Sequence, residues 1–457
     1  MKAISSFLSL IILGGSFSSL SAADPLPLSS HYWKDDAFLK AFNGSYRINA
    51  RVEPNVTGEE RALLVSIEKN MADGQRQAAI DKLKASPLAG NSAAIQFNLG
   101  NLYFEEGENE LALESFQSAL KKLPTFRRAH RNISYVYARE LKWDDALPHL
   151  VQALELGDQS GSVYGLIGYC RMEKEQYASA LQAYRMAQIT EPDSLDWKAG
   201  VAQCLQFLNQ NEEALALIEE VIQSRPDEDS YYLLQASIQL AMGRPADARV
   251  NLELLRRYEK LDAENQLLLA NLHLQLGQLE LARPVLQNAL KQEKLPALAT
   301  ALNSLEYVVS LREWQLASEF LVAVKSTWPE SEDIQLDRRQ RRLSAIISID
   351  SESAPADGVR ILEQLIAEDP LDGEALVLLA KFRISEQRTE EAAMLFEQAA
   401  KVAEVEREAK LEHGKMLVAL RRYVDAIPLL ESALKLQPEE SLATYLSAVK
   451  SLAEAKQ

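Results

Sequence analysis

From Ala93 to Pro296 the apolar positions recur with helical rather than strand periodicity, and the whole pattern returns at a fixed interval several times over. The clearest copy runs from Ala93 to Phe126 and reads as two short amphipathic helices joined by a turn at Glu106-Gly107-Glu108-Asn109. Gly100, Tyr103, Ala112, Phe116, Ala119 and Pro124 stand at places 8, 11, 20, 24, 27 and 32 of this unit. Small residues at 8 and 20 let the two helices approach, and large ones at 11 and 24 fill the space between them. A small residue at 27 admits the next hairpin, and proline at 32 stops the second helix. Further copies begin at Arg127, Gly161, Leu195, Asp229 and Ala263 without an insertion. One such hairpin cannot bury its apolar face alone, so the units must stack.

These places are those of the tetratricopeptide (TPR) repeat, and the resemblance implies an all-α fold: a right-handed α-solenoid of stacked helix-turn-helix repeats with N- and C-terminal caps. Residues 57–331 hold a degenerate first unit and about seven repeats. The seventh places Ala317, Leu321 and Pro329 correctly only if a residue is added in or near its first helix. Residues 332–372 form an aberrant repeat, expected to be a bend between two sub-arrays near 332–358. Two further repeats occupy 373–440, and 441–457 is expected to be a capping helix. Residues 24–56 are irregular and aromatic-rich, with Tyr32, Trp33, Phe38, Phe42 and Tyr46. They read either as a cap over the apolar end of the array or as a docking segment.

Composition changes this picture little: 47% apolar and 25% charged residues are ordinary for a folded soluble chain. The N-terminus changes it more. Lys2, an apolar run from Phe7 to Leu13 and the small-residue exit Ser21-Ala22-Ala23 form the pattern of a signal peptide over 1–23, with cleavage between Ala23 and Asp24. The expected destination is a bacterial periplasm. With no cysteine near the exit, lipid anchoring there is not expected, and no later stretch is apolar enough to span a bilayer. The net charge of −17 becomes −18 once Lys2 is removed, which disfavours nucleic acid and anionic lipid as partners. Cys170 and Cys204 both fall at place 10 of adjacent repeats. Stacked helices hold equivalent Cα atoms roughly 9–10 Å apart, too far for an unstrained disulfide, so two buried free thiols are expected.

Catalytic patterns are missing from the sequence. The histidines His31, His130, His149, His273 and His413 are scattered along the chain, none in a metal-binding pair, and there is no phosphate loop or nucleophile elbow. The reading is a non-enzyme with no cofactor and no metal. Function then falls to the exposed faces. In TPR arrays places 2, 5, 9, 12 and 13 of the first helix line the concave groove. Here these are Phe97, Asn101 and Phe104, then Arg128, Arg131, Tyr135 and Arg139, then Gly165, Tyr169 and Met172. An arginine and aromatic cluster in an acidic chain suits an extended peptide bearing carboxylates. The alternative is that the arginines answer neighbours such as Glu105 and Glu140. The dicarboxylate clamp of chaperone TPR domains is only partly matched: Asn101 fits, but Phe97 and Tyr135 depart from it. Further on the lining turns apolar, with Leu233, Leu240, Leu267, Leu274, Leu298, Ala301 and Leu305, to receive a helix or to be filled by packing. Arg338, Arg339, Arg341 and Arg342 form a secondary basic patch, read as a solvated face paired with acids or as an anionic docking site.

The strings FRRAHRN (126–132), LGDQSGSVYGLIGYC (156–170), ALQAYRMAQITEPDSLDWKAGVAQCL (180–205) and YYLLQASIQLAMG (231–243) resemble exported bacterial TPR proteins of TonB systems. The similarity extends from about residue 45 to 295. It implies a periplasmic scaffold working with TonB-, ExbB- or ExbD-like proteins or an outer-membrane receptor. Two other readings stand beside it: a general envelope-assembly or secretion adaptor, and a self-associating structural solenoid. Replacing Arg128, Arg131 and Tyr135 together by Ala is expected to weaken partner binding with helicity and melting unchanged.

Overall fold

A computed structural model describes residues 51–72, 75–329 and 331–454. The expected leader and most of the aromatic-rich segment, including Tyr32, Trp33, Phe38, Phe42 and Tyr46, lie outside the described residues. Among the described residues there are 23 helices and no strand. They fall into two compact units, one ending at Lys260 and the other beginning at Leu261.

In the first unit the helices are α1 (Gly58–Ala72), α2 (Arg76–Lys84), α3 (Ala93–Glu106), α4 (Asn109–Lys122), α5 (Arg127–Arg139), α6 (Trp143–Glu155), α7 (Gly161–Met172), α8 (Tyr177–Thr190), α9 (Leu195–Phe207), α10 (Asn211–Ser224), α11 (Asp229–Ala241) and α12 (Pro245–Arg257). From α3 onward the first helices start at equal intervals, at Ala93, Arg127, Gly161, Leu195 and Asp229, and the second helices keep the same interval from Asn109 to Pro245. The place-20 alanines Ala112, Ala146, Ala180, Ala214 and Ala248 are fully buried where the two helices of a hairpin meet. Place 8 is small for a measurable reason. A Cβ on Gly100 would sit 2.5 Å from the Phe116 ring, and one on Gly168 would sit 2.9 Å from the Tyr184 ring. Gly168→Leu is therefore expected to overpack α7 against α8 and cost about 1–3 kcal/mol, read as faster amide exchange in both helices.

The turn inside each hairpin is also periodic. Gly107, Leu141, Glu175, Asn209 and Gly243 all adopt positive φ, and the paired backbone bonds that close the first helix recur with them, such as Leu141 N–H to Ala138 O and Lys142 N–H to Tyr137 O. Leu141 holds this conformation at φ 58° with its side chain 70% exposed, so its strain is offset by little burial. Leu141→Gly should raise the stability of the α5–α6 hairpin by about 0.5–1 kcal/mol, measured by urea denaturation.

The second unit contains α13 (Ala263–Gln275), α14 (Leu279–Ala289), α15 (Leu298–Ser310), α16 (Trp314–Thr327), α17 (Ile334–Asp350), α18 (Pro355–Glu368), α19 (Gly373–Ser385), α20 (Thr389–Ala399), α21 (Glu406–Ala419), α22 (Tyr423–Leu436) and α23 (Glu440–Glu454). The one-residue slip of the seventh repeat lies in the turn between α14 and α15, before the first helix rather than within it. The stretch 332–372 is a helical hairpin, with a first helix of 17 residues, about a turn longer than its counterparts. Ala345, Leu362 and Leu365 join Ala375 and Leu379 in one apolar cluster, so the hairpin packs onto α19. The contact division of the chain falls at Leu261. In α23 Leu442, Leu446 and Val449 are buried along one side, leaving the intervening polar positions outward.

Candidate interaction site on the first-helix face

The expected lining residues sit on α3, α5 and α7, but they do not form an open surface. Phe97, Asn101, Phe104, Arg128, Arg131, Tyr135, Tyr169 and Met172 are buried, and Arg139 is half-buried. Ring packing explains part of this. Phe97 lies 4.8 Å from Phe126 and 5.6 Å from Phe116, and the Arg128 guanidinium covers Phe97 at 5.0 Å. A planar, weakly hydrated cation over a ring can be buried where an ammonium could not.

The arginines also meet acids, most of them distant in sequence. Arg128 Nε donates to Glu53 Oε2 at 2.8 Å, and Arg127 Nη2 approaches Glu53 Oε1 at 3.4 Å. The main chain joins in: Arg127 N–H donates to Val52 O at 3.1 Å, and Thr125 Oγ1 donates to Arg51 O at 2.5 Å. Glu53 is only 2% exposed. One repeat along, Arg131 Nη1 donates to Asp158 Oδ2 at 3.3 Å, both residues being buried. Glu105 pairs with Arg76, and Glu140 pairs with Lys142 and also acts on Arg139 through charge attraction.

The same face continues as a chain of polar contacts through the α7 N-terminus. Asp158 Oδ1 accepts from Ser160 Oγ at 2.8 Å, and the Tyr135 and Ser162 hydroxyls share a 2.7 Å hydrogen bond. Burial pushes the Tyr135 phenol up to about 12, so it remains a neutral hydrogen-bonding group. Ser162 N–H donates to Glu191 Oε1 at 3.0 Å, and Trp197 Nε1–H donates to Glu191 Oε2 at 2.8 Å. The Trp197 ring lies on Gly165, where a Cβ would fall 2.5 Å from the indole. Gly165 is thus a seat for Trp197 rather than a lining residue. Asn132 Nδ2 donates to Asn101 Oδ1 at 2.9 Å. Arg139 donates to Phe104 O at 3.0 Å and to Asn109 Oδ1, with its guanidinium 3.8 Å from the Phe104 ring centroid. The tilted rings of Tyr169 and Trp143 pack with centroids 4.2 Å apart, and Met172 Sδ accepts from Cys204 Sγ at 3.2 Å. Both cysteines are free and buried, and burial pushes both thiols up to about 12, which makes them poor nucleophiles.

Two histidines far apart in sequence meet behind this face. His130 of α5 and His149 of α6 approach Nδ1 to Nδ1 at 3.0 Å, and His130 Nε2 lies 3.0 Å from Pro124 O. A carbonyl can only accept, so His130 carries its proton on Nε2 and His149 Nδ1–H is the donor between the rings. Adding a proton to His130 would point two N–H groups at each other. Burial and then the His130 ring lower His149 to about 4 against the pull of Asp145, and burial lowers His130 as well. The unfolded chain protonates near 6.5 and the folded pair does not, so stability present above pH 6.5 is lost as pH falls toward about 4. At about 1.4 kcal/mol per pH unit the His149 contribution is at most roughly 3 kcal/mol. His149→Phe should flatten this part of the pH–stability curve; an unchanged slope between pH 6.5 and 4 would contradict the assignment.

The secondary basic patch lies on α17 and each of its arginines meets carboxylates. Arg338 pairs with Asp369, Arg339 with Glu306 through two bonds of 2.6 Å, Arg341 with Glu368, and Arg342 with Asp372 and Glu374. Asp372 also caps α19 through Ala375 N–H at 3.0 Å. These pairs tie one hairpin to the next. In the apolar series Leu267, Leu274, Leu298, Ala301 and Leu305 are buried, and Leu233 and Leu240 are half-buried. Among the described residues no group of three His, Cys, Asp or Glu side chains could hold a metal ion, and no helix is long and apolar enough to cross a membrane.

Family descriptions of the tetratricopeptide repeat match residues 93–121, 131–194 and 171–238. A stretch of 81 residues is 31% identical to anaphase-promoting complex subunit CDC16 of Saccharomyces cerevisiae, covering 18% of this chain and 10% of that protein. The chain therefore spans about a tenth of the length of that relative. Among solved structures, a tetratricopeptide repeat protein from Parabacteroides merdae is 18% identical, with a TM-score of 0.40 over 58% of this chain and 98% of that one. Yeast Tom70 is 14% identical, with a TM-score of 0.40 over 86% and 96%. YrrB, described as a TPR protein with an unusual peptide-binding site, is 20% identical, with a TM-score of 0.34 over 39% and 89%.

Proposed function

We propose that this tetratricopeptide-repeat protein is a non-enzymatic scaffold of the bacterial periplasm, an accessory component of a TonB–ExbB–ExbD-type outer-membrane transport system. TPR proteins serve as protein–protein interaction scaffolds, and their fold is generally non-enzymatic. The finer assignment is supported by the leader pattern of residues 1–23 and by the resemblance over residues 45–295. The observation that carries the binding mode is the Arg127–Arg128 corner, where packed aromatics and two guanidiniums hold a carboxylate from a non-helical stretch of chain. A partner segment would be received at the Arg127–Arg128 corner, with the buried Phe97, Asn101, Phe104, Arg131, Tyr135, Tyr169 and Met172 and the half-buried Arg139 as the packing that supports it.

The test is affinity purification of the tagged protein from cross-linked envelopes, followed by mass spectrometry. Enrichment of TonB-, ExbB- or ExbD-like proteins, with cross-links on α3, α5 or α7, is the expected result. Secretion or outer-membrane assembly factors in their place would replace the transport reading with that of a general adaptor. A bait that brings only itself, with a multimer in light scattering, would leave the self-associating solenoid. Sequencing the mature N-terminus should find Asp24 first.

A further inference from the structure

We infer that residues Arg51–Pro54 are an intramolecular stand-in for the partner, and that the Arg127–Arg128 corner recognises a non-helical, turned peptide presenting a glutamate in the place of Glu53. This rests on the reading of the first-helix face as a peptide site. The segment is held as a foreign peptide would be: two main-chain carbonyls, of Arg51 and Val52, accept from Thr125 Oγ1 and Arg127 N–H, and one carboxylate sits between Arg127 and Arg128. These contacts join positions 74 or 75 residues apart, so nothing local imposes them. Pro54 has no N–H to satisfy, so the segment suits a site that reads carbonyls and one acid. Thr57 and Glu60 then begin α1 with reciprocal capping bonds of 2.7 and 3.2 Å, so the strap ends at a firm anchor.

A tethered segment competes at an effective concentration on the order of millimolar, so a partner must displace it, and loss of Glu53 should open the site. The probe is a fluorescent peptide of residues 47–56, RINARVEPNV, and its Glu→Gln counterpart, added to the full chain and read by anisotropy. Wild-type protein should bind the glutamate peptide weakly. Glu53→Lys, whose own strap is repelled by Arg127 and Arg128, should bind it at least about tenfold tighter. The glutamine peptide should lose most of that gain, and adding Arg128→Ala should abolish it. The isosteric Glu53→Gln is a second opened protein, expected to show the same order with a smaller gain. Equal affinity of all these proteins for the peptide, or equal binding of the two peptides, overturns the inference. If envelope partners are captured but the peptides do not discriminate, only the stand-in falls. If the peptides discriminate but no partner is captured, the recognition rule stands and the scaffold reading falls.

Discussion

Trp197→Ala is expected to cost the α7–α10 region about 3–5 kcal/mol, the range for deleting a fully buried tryptophan. Two losses combine. The indole fills the space over Gly165, so its removal opens a cavity between consecutive first helices. Its N–H also satisfies one oxygen of Glu191, whose other oxygen holds Ser162 N–H at the start of α7. Because a stacked array owes its stability to repeats and their nearest interfaces, the damage should be local. Amide exchange is expected to accelerate first in residues 161–172 and 195–207, and urea denaturation should split into two transitions. A sign reversal gives the sharper check. Gly165→Leu alone should clash with the indole and destabilise, whereas in the Trp197→Ala background it should recover part of the loss by filling the vacated volume. If Gly165→Leu costs the same in both backgrounds, the packing of Trp197 on Gly165 is wrong.

Much of this architecture is legible along the chain because its causes are local and periodic. The alanines at place 20 and glycines at place 8 are chosen by contacts between the two helices of one hairpin, such as Gly100 with Phe116 and Gly168 with Tyr184. Spacing alone then places every helix start from Ala93 to Leu279. The candidate face was legible only as a set of positions. Its acids, Glu53 and Asp158, lie in a strap and in an inter-repeat turn, where no periodicity marks them. Of the nearby candidates, Glu105 pairs with Arg76, and Glu140 pairs with Lys142 while also attracting Arg139. His130 and His149 illustrate a recoverable miss. Counted along the chain they are 19 apart, but as places 4 and 23 of one hairpin they face each other. The unusual pair Gly165 and Trp197 could likewise have been read as complementary volumes one repeat apart.

Arg131→Ala is expected to destabilise α5–α8 by about 3–5 kcal/mol, because it leaves the Asp158 carboxylate buried without its cation. Asp158 belongs to the turn between α6 and α7, and it cannot reach water unless that turn opens. Asp158→Asn in the Arg131→Met background should restore most of the loss, since an ion pair replaced at both ends leaves no bare charge. A double variant as unstable as the single one would show that Arg131 acts through packing alone. Arg128 differs in a way that matters for experiments. Its acid sits on the strap, which can lift away and hydrate, so the cost of Arg128→Ala is capped by undocking the strap and should be the smaller of the two. The expectation that Arg128, Arg131 and Tyr135 can be removed together with melting unchanged is therefore corrected: Arg131 and Tyr135 are buried members of the array, and the triple variant confounds binding with stability. Melting of Arg128→Ala and Arg131→Ala side by side tests this distinction, with the larger shift expected for Arg131.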